Sequence, residues 1–175
     1  IQIIMTNLRN KSPRIIVIGD LMIDHYLWGE CNRVSPEAPV QVVNIEKESM
    51  LLGGAGNVIN NLKALGAKVD VISIIGKCET SKELKLLLKS IKVDTKYLYA
   101  EQDRITSKKS RIIATQQQVV RFDSESSNEI TEKSQNHILK SFKKIILDCE
   151  LVLLSDYGKG IFTNKLTQSL INIAN

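Results

Sequence analysis

The chain has 175 residues, 43% of them hydrophobic, 25% charged and only 5% aromatic, and carries a formal net charge of +5. That length can bury one ordinary core, and no stretch approaches the ~20 consecutive apolar residues of a bilayer-spanning helix. With few aromatics the core falls to Ile, Leu and Val, a composition suited to buried parallel strands.

Residue 1 is Ile and Met5 offers a natural start, so the first 13 residues read as a disordered or extended segment without a signal-peptide pattern. Arg14 to Asp20 is a β-branched apolar run ending in Gly19-Asp20, the mark of a buried strand that opens into a loop. Two short extended segments follow, His25 to Cys31 and Val40 to Glu48, around a turn with Pro36 and Pro39. Their alternation is noisier than that of a surface hairpin.

Gly53-Gly54-Ala55-Gly56-Asn57 opens a helix with Val58, Ile59, Leu62 and Leu65 on its apolar face, and Gly66 ends it. Lys68 to Ile75 is a second core strand, and Ser81 to Ile91 a helix. Tyr97 to Tyr99, Lys108 to Ala114 and Val119 to Phe122 read as strands, and Ile130 to Ile146 as a helix. Leu151 to Ser155 is a further core strand, and Thr163 or Asn164 caps a last helix that runs to Asn175 without a basic last turn. Both ends read as cut. The order implies an α/β fold, a doubly wound, mainly parallel sheet with a small β flap inserted near 25–48 and 105–122, within one unit over 14–175.

Ligands of open α/β sheets sit beyond the carboxyl ends of the strands. Three features fall there: Gly19-Asp20 with Asp24, the glycine run 53–57, and Ser155 to Gly160 with Asp156. A glycine turn at a helix start leaves N–H groups free, Asn57 can donate and accept, and Asp24 can accept from a vicinal diol. Each also has a plain reading as a tight turn or close helix packing, and the glycine run misses both GxGxxG and the GxxxxGK[ST] phosphate loop. Lys109 and Arg111 alternate with Ser110, so they share one strand face, where they can bind a phosphate or simply protect a solvated edge. Arg121 and Asp123 can pair with each other. His137 reads as helix surface. Cys31, Cys78 and Cys149 are odd in number and widely spaced, as reduced cytoplasmic thiols are, and no metal site is assigned.

Taken in order, Ile18-Gly19-Asp20 with Asp24, Gly53-Gly54-Ala55-Gly56-Asn57 and Leu154-Ser155-Asp156-Tyr157 resemble the ribokinase-like (phosphofructokinase-B type) carbohydrate kinases, over nearly all of residues 14 to 175. Three further groups of residues bring the resemblance to kinases of D-glycero-β-D-manno-heptose 7-phosphate. These are Gly19-Asp20-Leu21-Met22-Ile23-Asp24-His25-Tyr26 leading into Arg33-Val34-Ser35-Pro36-Glu37-Ala38-Pro39-Val40, then Lys109-Ser110-Arg111 with Gln117-Gln118-Val119-Val120-Arg121-Phe122-Asp123, then Ser155-Asp156-Tyr157-Gly158-Lys159-Gly160. Where such kinases tend to have Asn before the Gln-Gln pair, this chain has Gln116.

The resemblance implies ATP- and Mg²⁺-dependent phosphorylation at C1, feeding ADP-heptose and lipopolysaccharide core. It implies that Asp24 and Asn57 hold sugar hydroxyls beside the Gly53-Gly54 turn, with Asp156 also on the substrate side. Lys109 and Arg111, with Arg121, are expected to receive the existing phosphate. The family's general base, an Asp in a Gly-Ala-Gly-Asp motif, and most of its ATP site have no counterpart in these 175 residues. The chain alone is therefore expected to be inactive, and its parent to be a homodimer through the lid, in some bacteria fused to an adenylyltransferase. Neither nucleic acid nor membrane is an expected partner. The alternatives are a kinase of another sugar or nucleoside and a non-catalytic sugar-phosphate-binding remnant.

Overall fold

Four strands with apolar side chains on both faces form the centre of the protein. A computed structural model describes residues 12–175, so most of the segment expected over 1–13 lies outside it. The strands are β1 (Arg14–Gly19), β4 (Lys68–Gly76), β5 (Leu98–Glu101) and β8 (Leu151–Ser155), all parallel, in the order β5-β4-β1-β8. Successive side chains of a strand point to opposite faces. Ile15, Val17, Val71 and Ile75 accordingly pack on one side with Ile59, Leu84 and Leu88. Ile16, Ile18, Ile72 and Ile74 pack on the other with Ile138, Phe142, Ile145, Leu166 and Leu170.

The first layer is built by helices α1 (Ala55–Ala64) and α2 (Glu79–Ser90), the second by α3 (Glu132–Ile145) and α4 (Asn164–Ala174). Thr131 and Thr163 cap α3 and α4, each side chain accepting from a backbone N–H in the first turn. No helix among the described residues is long and apolar enough to cross a membrane.

A second sheet stands on the first. It contains β2 (Leu21–Val34), β3 (Gln41–Gly54), β6 (Ser107–Ala114) and β7 (Gln117–Ser124), in the order β3-β2-β6-β7. β2 pairs antiparallel with β3 and parallel with β6, and β7 is an exposed edge.

The structure corrects two sequence expectations about this sheet. The segments 25–31 and 40–48 are not short; each belongs to a strand of 14 residues. β2 begins directly after Asp20, and β3 runs to Gly54, so the glycine run starts in a strand rather than a loop. The noisy alternation has a cause: the β2–β3 register shifts between Trp28 and Gly29 and again between Cys31 and Arg33. Each such irregularity breaks the period of two. His137 is also more than helix surface, since it packs on Tyr99 with ring centroids 4.6 Å apart.

Candidate functional site

The site begins at Asp20, where β1 ends. Asp20 is buried at 2% exposure, and its Oδ2 accepts from the backbone N–H groups of Tyr157 at 2.8 Å and Lys159 at 3.2 Å. Its own carbonyl accepts from Ala55 N, the first residue of α1, at 3.0 Å. One residue thus ties the glycine turn to the loop after β8. Burial pushes the Asp20 carboxyl up from its ordinary pKa, against the opposing pull of the Tyr157 and Lys159 amides. Through Oδ2 Asp20 is therefore a structural clamp, while its Oδ1 is buried without a hydrogen-bond partner among the described residues.

Arg104 reinforces the clamp. It is buried at 8% exposure and donates to the carbonyls of Asn128 and Lys159. Burial lowers its pKa, while Glu101 and Asp20 pull it back up.

Asp24 follows on β2, paired with Leu51 on one side and Lys109 on the other. Its carboxylate lies against Gly53: a Cβ on residue 53 would sit 2.4 Å from Asp24 Oδ2. Only a residue without a side chain leaves that space. Gly54 adopts φ +55°, a conformation that side-chain-bearing residues rarely take, and this turns the chain from β3 into α1. Asn57 lies exposed in the first turn of α1. Asp24, Tyr26, Asn57 and Asn60 line one cleft of about 340 Å³, together with Leu52, Leu87 and Ile91.

Beside this cleft runs a charged row. Cross-strand register puts Asp24, Lys109 and Asp123 side by side, and next to them Tyr26, Arg111 and Arg121. Directly paired residues share a face of the sheet. Arg111 donates to Asp24 Oδ1 at 2.6 Å and lies over the Tyr26 ring, 5.3 Å from its centroid. Lys109 Nζ reaches Asp123 Oδ2 at 2.9 Å and Glu125 Oε2 at 3.3 Å. Arg121 holds Asp123 through two bonds, 2.9 and 2.7 Å long. The Arg121 guanidinium and then Lys109 keep the Asp123 carboxyl far below the usual carboxylate range.

Of the residues expected from sequence, the structure puts Asp24 and Asn57 in the cleft, with Gly53 and Arg111 against the Asp24 carboxylate. Lys109 and Arg121 continue the row, and each is paired with an acid. Gly54 shapes the turn. Asp156 is exposed, and its Oδ1 accepts from Gly158 N at 2.8 Å within its own loop, so it closes a turn. Sequence reasoning missed Glu125 and the part played by Lys159. Neither lies in a local pattern that signals a pairing across 34 positions.

A parallel sheet flanked by helices, with a second β sheet standing on it and an Asp and an Asn in one cleft beside a glycine turn, defines a class: α/β proteins with a polar cleft beside the sheet. The chain belongs to the pfkB family of carbohydrate kinases, whose family model matches residues 12–170.

Its curated relatives include the bifunctional protein HldE of Aliarcobacter butzleri, 61% identical over 166 residues, which cover 95% of this chain and 35% of that protein. The bifunctional protein HldE of Sulfurimonas denitrificans is 54% identical over 168 residues, 96% of this chain and 35% of that protein. The chain thus spans about a third of the length of these relatives. Among solved structures, a carbohydrate kinase from Agrobacterium tumefaciens matches with a TM-score of 0.62 at 19% identity. The match covers 93% of this chain and 50% of that one, a likeness of fold.

Among the described residues no group of three or more His, Cys, Asp or Glu side chains gathers as metal ligands.

Proposed function

We propose that the parent protein transfers the γ-phosphoryl group of ATP to the C1 hydroxyl of D-glycero-β-D-manno-heptose 7-phosphate, and that this chain is its sugar-binding part. The observation that carries the reading is the Asp24 carboxylate, seated on Gly53 in a cleft shared with Asn57 and flanked by Lys109, Arg111 and Arg121. In this reading Asp24 accepts from two neighbouring hydroxyls and Asn57 bonds a third, which fixes the ring and so the direction of the C1 oxygen. Orientation of that kind accounts for much of the barrier reduction in phosphoryl transfer. The second sheet covers the sugar as a lid and keeps water from competing for the phosphoryl group.

ATP and Mg²⁺ supply the phosphoryl group and its charge neutralisation, and in this reading both are held by residues outside the described part. The general base is an Asp of a Gly-Ala-Gly-Asp segment, also outside it. Relatives named as bifunctional support a fused second activity, here an adenylyltransferase leading to ADP-heptose in the cytoplasm. Pairing of two lids would form a homodimer.

The test is an assay of the full-length protein with ATP and heptose 7-phosphate, the product being located by phosphorus NMR. A new phosphate at C1 is expected, and none from residues 1–175 alone. Turnover by the isolated chain, or full-length preference for an unphosphorylated sugar or a nucleoside, would overturn the reading. A full-length protein that binds the sugar phosphate without turnover would favour the non-catalytic alternative.

A further inference from the structure

The lid and the body of the protein meet at the Lys108–Glu83 pair and at a second carboxylate, Glu125. Glu125, just after β7, receives Lys159 Nζ on Oε1 at 2.7 Å and Lys109 Nζ on Oε2 at 3.3 Å. Lys109 belongs to a lid strand, and Lys159 to the loop after the core strand β8. All three side chains are largely shielded, at 15% exposure for Lys109, 18% for Lys159 and 23% for Glu125. Burial raises the Glu125 carboxyl, but hydrogen bonds from Lys159 and Lys109 outweigh it and hold the group below its ordinary pKa.

The Lys159 backbone is fixed on both sides. Its N–H donates to the buried Asp20 carboxylate, and its carbonyl accepts from the buried Arg104 guanidinium. Two core groups thus aim this ammonium at the lid. The charge count is uneven as well. Four cations (Lys109, Arg111, Arg121 and Lys159) face three carboxylates (Asp24, Asp123 and Glu125), and Arg111 is committed to Asp24.

We infer that Lys159 is the body-side binding residue for the phosphate monoester of the sugar substrate, and that Glu125 holds its place until the phosphate arrives. This inference rests on the reading of the site as one for a phosphorylated sugar. A carboxylate offers two oxygens and one charge, whereas a phosphate dianion offers three oxygens and nearly two charges. In place of Glu125 a phosphate can bond Lys109 and Lys159 together and still approach Arg121. The same exchange keeps lid and body tied, with the phosphate in place of the Glu125 bridge. A sugar without phosphate leaves the Glu125 bridge intact and gains nothing from Lys159.

The experiment uses the full-length protein as wild type, Lys159→Gln, Lys159→Arg and Glu125→Gln. Dissociation constants are measured by calorimetry for heptose 7-phosphate, for the same heptose without phosphate, and for inorganic phosphate. Lys159→Gln is expected to weaken the phosphorylated sugar and inorganic phosphate about ten- to hundred-fold, the effect of one charge-assisted hydrogen bond. It should change the unphosphorylated sugar less than about two-fold, and Lys159→Arg should restore most of the loss. Glu125→Gln should tighten the phosphorylated sugar several-fold, because the competing charge is gone.

Equal weakening of both sugars by Lys159→Gln would mean that the lysine is only structural and would overturn the inference. So would an unchanged affinity for phosphate, or no phosphate binding by wild type. If wild type prefers another phosphorylated sugar and Lys159→Gln shows the same selective loss, the inference stands and the heptose reading falls.

Discussion

Replacing Gly53 by alanine tests whether the sugar site depends on the missing side chain. The added Cβ would lie 2.4 Å from Asp24 Oδ2, 3.1 Å from Asp24 Cγ and 2.9 Å from Met22 Cγ. Ordinary non-bonded contacts involving carbon lie near ~3.5 Å, so the carboxylate must retreat by about 1 Å. That shift stretches the 2.6 Å bond from Arg111 and carries the acceptor oxygens away from the ring hydroxyls.

Loss of one hydrogen bond to a charged group costs about 1.5–3 kcal/mol, or roughly ten- to hundred-fold in affinity. Overpacking should add about 1–3 kcal/mol of destabilisation. The two effects separate in assay. Sugar-phosphate affinity of the full-length protein is measured by calorimetry, and stability by urea unfolding with attention to an unchanged slope. Asp24→Asn provides the cycle: if Gly53→Ala acts by displacing Asp24, the double variant should lose far less than the sum of the single losses. Affinity within about two-fold of wild type in Gly53→Ala, or strict additivity in the double variant, would refute the reasoning.

Arg104→Met should cost about 3 kcal/mol of stability in urea unfolding, because it leaves two carbonyl acceptors and the nearby Asp20 charge without their cation. A loss below about 1 kcal/mol would mean that water replaces the guanidinium without difficulty. Asp123→Asn tests the charged row by pH. The Asp123 pKa is depressed in the folded protein, so its contribution is present above the ordinary value of 3.8 and is lost as pH falls through the folded value. The stability gap between wild type and Asp123→Asn should be flat near neutrality and shrink steadily below about pH 4. A gap that does not vary between neutral and acid pH, measured by urea midpoints, would show that the pairs with Arg121 and Lys109 do not couple to folding.

Much of the architecture is legible in the sequence because its causes are local. The run Arg14 to Gly19 announces a strand buried on both faces, and the structure divides it between two cores in strict alternation. Gly54 is readable as a turn residue because its positive φ is a requirement that few residues meet. The order of the Gly-Asp, Gly-Gly-Ala-Gly-Asn and Ser-Asp-Tyr segments likewise carries the family resemblance, since each is set by a strand end and the turn after it.

The lid strands read too short because bulges break their period and a sheet exposed on one face lacks a continuous apolar run. The ion pairs are beyond reach for a different reason. Lys109 and Arg111 are visible as two cations on one strand face, but which acids meet them depends on distance in space. Asp24 lies 87 positions from Arg111, and Glu125 lies 34 from Lys159. Asp20 looks like an ordinary turn residue in the sequence and proves to be the clamp that sets the loop carrying Lys159. By itself the sequence determined the core strands, the helices and the turns at their ends, because backbone preference and hydrophobic period act between near neighbours. Only the tertiary structure decided which charges face one another, because Coulomb and hydrogen-bond energies depend on separations that the folded sheets alone create.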